Sequence, residues 1–289
     1  MRLAHFSDVH ITLSPVIEGP MGLIGEPKRW VGTANWLLGG RRQHFSGVEE
    51  RLAALLEDVD AQNVEHALCT GDLTAVAYDA EMQRAAEIFG ARLEHPERYT
   101  VLPGNHDRYV RSNDRVFERY FSAVADAGRG YPYMKPIAPG VTLIAIDVTR
   151  PTSLFDSSGE VGATQMEALR RLLHDPALER EMVIVALHYG LLRSEGERDR
   201  PSHGIRDDLA LIAALDDPAA RVDLVLHGHI HKAYRVKTER RTIACAGSAT
   251  DLHVACGYDV YELDPAARVF TASRRVWDPA SRRYVAAPS

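Results

Sequence analysis

Two hydrophobic rhythms alternate along the chain. Short apolar runs, RLAHFS (2–7), HALCT (66–70), YTVLP (99–103), VTLIAI (141–146), MVIVAL (182–187) and VDLVLH (222–227), read as strands. Between them, Val48, Leu52, Leu55, Leu56 and Val59 fall on one helical face, and similar stretches lie near 80–93, 114–125, 163–173 and 207–215. Strands alternating with helices predict βαβ units and a largely parallel sheet. After residue 232 the helical period stops. AYRVKT, RTIACAG, GYDVYEL and RVFTASRRVW read as turn-separated antiparallel strands, so 233–277 is expected to complete a second sheet. No repeat, low-complexity tract or linker interrupts residues 1–289, which predicts a single domain.

One segment breaks the rhythm. From Ile11 to Gly47 the chain runs far beyond an ordinary βα connection. It carries Met21, Leu23, Ile24, Trp30, Trp36, Leu37 and Leu38, with Lys28, Arg29, Arg41 and Arg42 nearby, and Trp30, Ala34, Leu37 and Leu38 would share a helical face. It reads as a cap-like insertion (11–47) beside whatever the first strand presents. Packing of the tryptophans onto the domain is favoured over contact with a membrane surface, because one apolar helix face normally points to a core.

In open α/β sheets, ligands bind beyond the carboxyl ends of the strands. Five such ends carry polar chemistry here: SDVH with Asp8 and His10, TGDL with Asp72, PGNHD with Asn105, His106 and Asp107, the lone His188, and LHGHIH with His229 and His231. Any one of these tetrapeptides is weak, since GNHD alone resembles a turn; five at corresponding positions make a site. Imidazole, carboxylate and one amide without thiolate suit Mn, Fe, Zn or Co, and the donors are too many for one tetrahedral zinc. Two divalent ions sharing a carboxylate are the economical arrangement.

Composition narrows the field. With 45% hydrophobic and 26% charged residues the chain can build a large core. A net charge of −6 and no basic stripe disfavour nucleic acid as partner. Three widely spaced cysteines imply no disulfide framework. The opening MRLAHFSD reads as a strand rather than a leader, and no apolar run is long enough to span a bilayer, so a cytoplasmic protein is expected.

The ordered set DVH, GDL, GNHD, LH and GHIH resembles the calcineurin-like metallophosphoesterase superfamily, and within it the bacterial cyclic-nucleotide-phosphodiesterase-like branch, from Asp8 to His231. The resemblance implies an α/β fold: a four-layer αββα sandwich of two mixed β-sheets flanked by helices. It implies one ion held by Asp8, His10, Asp72 and His231, and another by Asp72, Asn105, His188 and His229, with Asp72 bridging. His106 would serve the leaving-group oxygen and touch substrate together with Asn105, and Asp107 would orient His106. A hydroxide bridging the ions would attack phosphorus in line. One departure is Ala75, where many members carry an acidic residue or histidine that is not a direct ligand.

The expected activity is that of a metallophosphoesterase, a dinuclear metal-dependent phosphodiesterase of broad range acting on small-molecule phosphodiesters. The enzymatic alternative is a lipid-linked nucleotide pyrophosphatase resembling UDP-diacylglucosamine hydrolases, and the alternative of another class is a non-catalytic partner-binding scaffold. His203 and Arg108 are further candidate substrate contacts, and Tyr109 and His253 stand near the same elements. His227 lies before the GHIH motif and is expected to pack. His5, His44, His66, His95 and His174 are expected to be structural. The extra C-terminal strands could supply a homodimer surface.

Overall fold

In the computed structural model the protein is described over residues 1–13, 27–29, 31–32, 41–113, 115–126, 128–154 and 156–288, with the side chains of Arg41, Arg42 and Asn113 left aside. The helical face expected of Trp30, Ala34, Leu37 and Leu38, and the neighbouring Met21, Leu23, Ile24 and Trp36, lie outside the described residues.

Twelve strands form two six-stranded sheets. The first has the order β12-β11-β10-β1-β2-β3, built from β1 (Arg2–Phe6), β2 (His66–Cys69), β3 (Tyr99–Val101), β10 (Gly257–Asp264), β11 (Val269–Asp278) and β12 (Arg283–Ala286). The second has the order β4-β5-β6-β7-β9-β8, built from β4 (Tyr133–Ala138), β5 (Val141–Ala145), β6 (Met182–Ala186), β7 (Leu224–His227), β8 (Tyr234–Lys237) and β9 (Thr242–Cys245). β1, β2 and β3 run parallel, as do β5, β6, β7 and β9, with antiparallel strands at the sheet edges.

Strand alternation explains the layers. On β6, Ile184 and Ala186 face the other sheet, meeting Leu3 and Leu68, while Val183 and Val185 face helices. Helices α1 (Val48–Ala61), α2 (Asp79–Phe89) and α3 (Val116–Phe121) cover the first sheet through Leu52, Leu56, Met82, Phe89 and Phe117. Helices α4 (Ala163–Leu173) and α5 (Asp208–Leu215) cover the second through Leu169, Leu173 and Leu211. The apolar runs therefore carry no polar face because each sheet is buried on both sides, and each large side chain so buried contributes roughly 1.5–3 kcal/mol. The four-layer sandwich is the architecture expected.

One expectation needs correction, and one strand was missed. The segment 233–277 does not complete one sheet: β8 and β9 join the second, whereas β10, β11 and then β12 extend the first beyond β1. Turn-separated strands announce pairing without saying which edge accepts them. β4, at an edge of the second sheet, went unread because YMKPIA includes Pro136, where the pairing register shifts. Among the described residues no helix is long and apolar enough to cross a membrane.

Candidate metal centre

The strand ends turn sharply to deliver their side chains. Asp8, His10, Asp72, His229 and His231 all adopt left-handed backbone, with φ of 54°, 55°, 57°, 70° and 60°. Such residues cost about 1–3 kcal/mol each unless the surroundings hold them, and their gathering at one place marks a site. What holds them is backbone pairing beyond the sheet: Asp8 N donates to Gly71 O (2.9 Å), His10 N to Asp72 O (2.9 Å) and Ile11 N to Leu73 O (2.7 Å). Glycine is required where these turns meet. A Cβ on Gly228 would fall 1.9 Å from Ser7 Oγ and 2.5 Å from Asp8 Oδ2, and one on Gly104 would fall 2.1 Å from Asp72 Oδ1.

Both expected donor sets are assembled. Around Asp8, His10 Nε2 and His231 Nε2 approach to 2.9 Å, His231 Nε2 lies 3.4 Å from Asp8 Oδ1, and His10 Nε2 lies 3.6 Å from Asp72 Oδ2. Around Asn105, its Oδ1 lies 3.0 Å from His188 Nε2 and 2.9 Å from His229 Nδ1, and His188 Nε2 lies 3.4 Å from Asp72 Oδ2. Asp72 touches both sets. All seven side chains are buried or nearly so, His231 being the most accessible.

Each imidazole is gripped from behind by an oxygen. His10 Nδ1 meets Thr74 O (3.2 Å), His188 Nδ1 meets Thr70 O (2.7 Å), His229 Nε2 meets His203 O (3.0 Å) and His231 Nδ1 meets Asp251 Oδ2 (3.3 Å). Those oxygens are acceptors, so each outer nitrogen can donate its proton there, which leaves the inner nitrogen as the one that would offer a lone pair to a bound ion. Four inner nitrogens, two carboxylates and an amide oxygen then converge on one space. That is a cation-binding arrangement, and fixing a metal-ligating imidazole through its outer N–H is the usual way of orienting it.

The electrostatics agree. Burial works against charge on His188 and His231, yet Asp72 outweighs it at the former and Asp8 with Asp251 at the latter, lifting each to about 9. Burial also opposes charge on Asp72, but His188, His106 and His10 hold its carboxyl well below the usual range. The pocket's own field favours positive charge. No thiolate competes: Cys69, Cys245 and Cys256 are buried and free, and burial raises the Cys245 thiol to about 12.

His106 sits at the rim of the first set, its ring edge-on to His10 with centroids 4.8 Å apart, and its backbone N–H donates to Asp72 Oδ1 at 2.7 Å. The expectation that Asp107 orients it is corrected. The Asp107 carboxylate accepts N–H bonds from Leu73 (3.1 Å), Thr74 (3.0 Å) and Gly104 (2.9 Å), which ties the two loops together. His106 Nδ1 instead donates to the carbonyl of Ala75, so the residue that departs from the familiar pattern contributes through its backbone.

Arg108, expected as a substrate contact, pairs its guanidinium with Asp147 (3.0 Å) and Glu118. His203 does reach the site: its ring packs on His229 at 4.3 Å and its Nδ1 binds Asp199 Oδ2 at 2.7 Å. His227 packs under Tyr234 and beside Gly190, away from both sets. His253 stacks on His44 at 4.4 Å, and His44 lies 3.8 Å from Asp251, so this pair flanks the support of His231.

Sequence reasoning missed Asp251 and Ser248, whose hydroxyl donates to Asp8 O at 2.7 Å. The signal was present in GSATDLH, a polar turn after a buried strand, but it lies beyond the recognised motifs.

A family model described as calcineurin-like phosphoesterase matches residues 1–233. The chain belongs to the calcineurin-like phosphoesterases. A search of curated proteins returned no match to this phosphoesterase. Among solved structures it is similar to a dimetal phosphatase from Danio rerio, at 12% identity and TM-score 0.62 over 91% of this chain and 92% of that one. It is also similar to a purple acid phosphatase from yellow lupin (Lupinus luteus) seeds, at 12% identity and TM-score 0.57 over 99% of this chain and 52% of that one. At such identity these likenesses establish the fold. The family implies a dinuclear divalent metal centre, and the donor set of this phosphoesterase fits one.

Proposed function

We propose that this phosphoesterase is a metal-dependent phosphodiesterase acting on small-molecule diesters. The observation that carries the reading is the set of four imidazoles whose outer nitrogens are all engaged by oxygens while their inner nitrogens meet Asp8, Asp72 and Asn105. In this reading Asp8, His10, Asp72 and His231 hold one divalent ion, and Asp72, Asn105, His188 and His229 hold the second. Two bound divalent ions would supply Lewis-acid polarisation of the phosphoryl oxygens and a nucleophile at neutral pH.

The protein's own groups do the rest. In this reading His106 serves the leaving-group side: its Nδ1 is committed to Ala75 O, so Nε2 of the doubly protonated ring is the atom that delivers a proton to the departing alkoxide and leaves the ring neutral. Tyr109 stacks on the His106 ring with centroids 5.2 Å apart and an interplanar angle of 19°, which keeps the ring plane fixed. Asp107 holds the 72–74 turn against the 104–107 turn and keeps both donor sets in register.

Preference for a diester follows from charge. A phosphomonoester arrives as a dianion and benefits from an arginine or lysine at its spare oxygens. Arg108 is spent on Asp147 and Glu118. A monoanionic diester needs less. The test is a panel of bis(para-nitrophenyl) phosphate, para-nitrophenyl phosphate, cyclic nucleotides, nucleotide sugars and phospholipid diesters, run with defined Mn, Fe or Zn loading. Diester turnover exceeding monoester turnover, abolished in Asp72→Asn, is the expected result. A metal-loaded protein that turns over none of them, or an Asp72→Asn variant at wild-type rate, overturns the assignment.

A further inference from the structure

Beside His106 a cleft of about 540 Å3 is lined by Pro27, Lys28, Tyr109, Arg111, Thr152 and Leu154, among others. It shares Tyr109 with the catalytic cluster, since that ring both stacks on the imidazole of His106 and lines the cleft. With His106 serving the leaving oxygen, as proposed above, the cleft adjoins the leaving-group side of the reaction. Its other wall belongs to the inserted segment.

The charge of this cleft differs from that of its surroundings. Lys28 and Arg111 line it, and among the described residues no carboxylate does. Asp156 presents its backbone carbonyl to Lys28 at 3.4 Å and gives its carboxylate to Arg206 and to the Ser158 amide. The Lys28 ammonium lies 4.7 Å from the centroid of the Tyr109 ring. Burial pulls its amine down to about 8 against the opposing charge of Asp156, which still leaves it cationic at neutral pH. In a chain of net charge −6, two cations facing a cleft that no carboxylate lines among the described residues form a local anion site.

Lys28 is also held firmly relative to His106. The next residue, Arg29, is buried at 4% exposure and donates from Nε to Val76 O at 3.2 Å and from Nη2 to Ala77 O. That is the loop whose Ala75 carbonyl fixes the His106 ring. Gly32 packs against the same elements, since a Cβ there would meet Val76 Cγ1 at 2.8 Å and Tyr109 Oη at 2.9 Å.

We propose that Lys28, with Arg111, forms a subsite for a second anionic group, a carboxylate or phosphate carried on the leaving arm of the substrate. This rests on the phosphodiesterase reading and on His106 standing at the leaving oxygen. The inserted segment then selects substrates by the charge of the alcohol they release.

The test compares methyl para-nitrophenyl phosphate with its analogue bearing a meta-carboxylate on the nitrophenyl ring, two diesters whose chromogenic leaving groups differ chiefly by that charge. The wild-type protein is expected to favour the carboxylate by about tenfold in kcat/KM, largely through KM, the size of one charge-assisted contact at a half-buried amine. In Lys28→Met the ratio should fall close to one, and Lys28→Arg should restore most of it. A wild-type ratio of one, or an undiminished ratio in Lys28→Met, overturns the proposal. If the metal-loaded protein turns over neither ester, the phosphodiesterase reading fails. The subsite is then read by calorimetry with the two free nitrophenols: selective binding of the carboxylate form, lost in Lys28→Met, sustains it, and equal binding overturns it.

Discussion

Replacing Gly104 by alanine adds one methyl group at the point where the two halves of the donor constellation meet. Its Cβ would stand 2.1 Å from Asp72 Oδ1, 2.2 Å from the Asp72 amide nitrogen and 2.7 Å from Asp72 Cγ. Non-bonded heavy atoms settle near ~3.5 Å, so the carboxylate that touches both donor sets has to retreat by more than about 1 Å. Gly104 is not among the glycines with positive φ, so the substitution tests close approach rather than backbone conformation. Overpacking of this kind costs about 1–3 kcal/mol and should lower the unfolding temperature by several degrees without preventing folding. The functional loss should be larger in proportion, because a displacement of about 1 Å in a positioned group costs roughly a hundredfold in rate. The assay is kcat on bis(para-nitrophenyl) phosphate at saturating metal, with metal content by elemental analysis and Tm by calorimetry. Gly128→Ala, where nothing lies within 4 Å of the added Cβ, is the control. A Gly104→Ala protein that binds two ions and works within about twofold of wild type would refute the reasoning.

Three further outcomes are expected. Asp251→Ala removes the oxygen 3.3 Å from His231 Nδ1 and should weaken metal affinity about 10- to 100-fold, with turnover regained at high metal; an unchanged metal titration of activity argues against that role. Chelation should abolish activity and lower Tm, and both should return on adding Mn or Zn, since a ligand present at a thousand times its Kd stabilises by about 4 kcal/mol; a chelated protein of unaltered Tm counts against ions bound at this depth. Burial holds His5 and His66 at about 3 and His227 at about 4, helped at His5 by His227 and Arg274 and at His66 by Lys135. Unfolding frees these rings to take up protons near ~6.5, so the unfolded chain binds more protons below that pH and stability falls as pH drops from there towards 3. Urea midpoints of the chelated protein across pH 6.5 to 5, below the range in which His188 and His231 act in the opposite sense, should show this slope, and His66→Gln should reduce it; a flat profile contradicts the burial argument.

How legible the site was follows from where each residue stands in the chain. Asp8, Asp72, Asn105, His188, His229 and His231 were readable because each stands two to four residues past a buried parallel strand, where the chain has to leave the sheet and polar side chains are otherwise out of place. Their supports were not readable in the same way. The carbonyls of Thr70, Thr74, Ala75 and His203 act through backbone, so no residue type announces them. Asp251 comes from the loop between β9 and β10, far from His231 in sequence logic though beside it in space. Asp107 looked like an imidazole partner because it follows His106, yet in a tight turn its carboxylate is better placed for the amides of Gly104, Leu73 and Thr74. The division of the C-terminal strands between the two sheets was hidden for a related reason, since alternating apolar residues predict a face to bury and leave the receiving edge open.

The donor constellation draws from both sheets: Asp8, His10, Asp72 and Asn105 follow strands of the first, and His188, His229 and His231 follow strands of the second. Direct bonds already stitch this seam, from the His229 amide to the Asp8 carboxylate (2.9 Å) and from His188 Nδ1 to the Thr70 carbonyl (2.7 Å). Ions bound there would work as rivets between the two halves of the molecule. Stripping them should then uncouple the halves as well as silence the chemistry, so that one sharp unfolding transition broadens or divides in two.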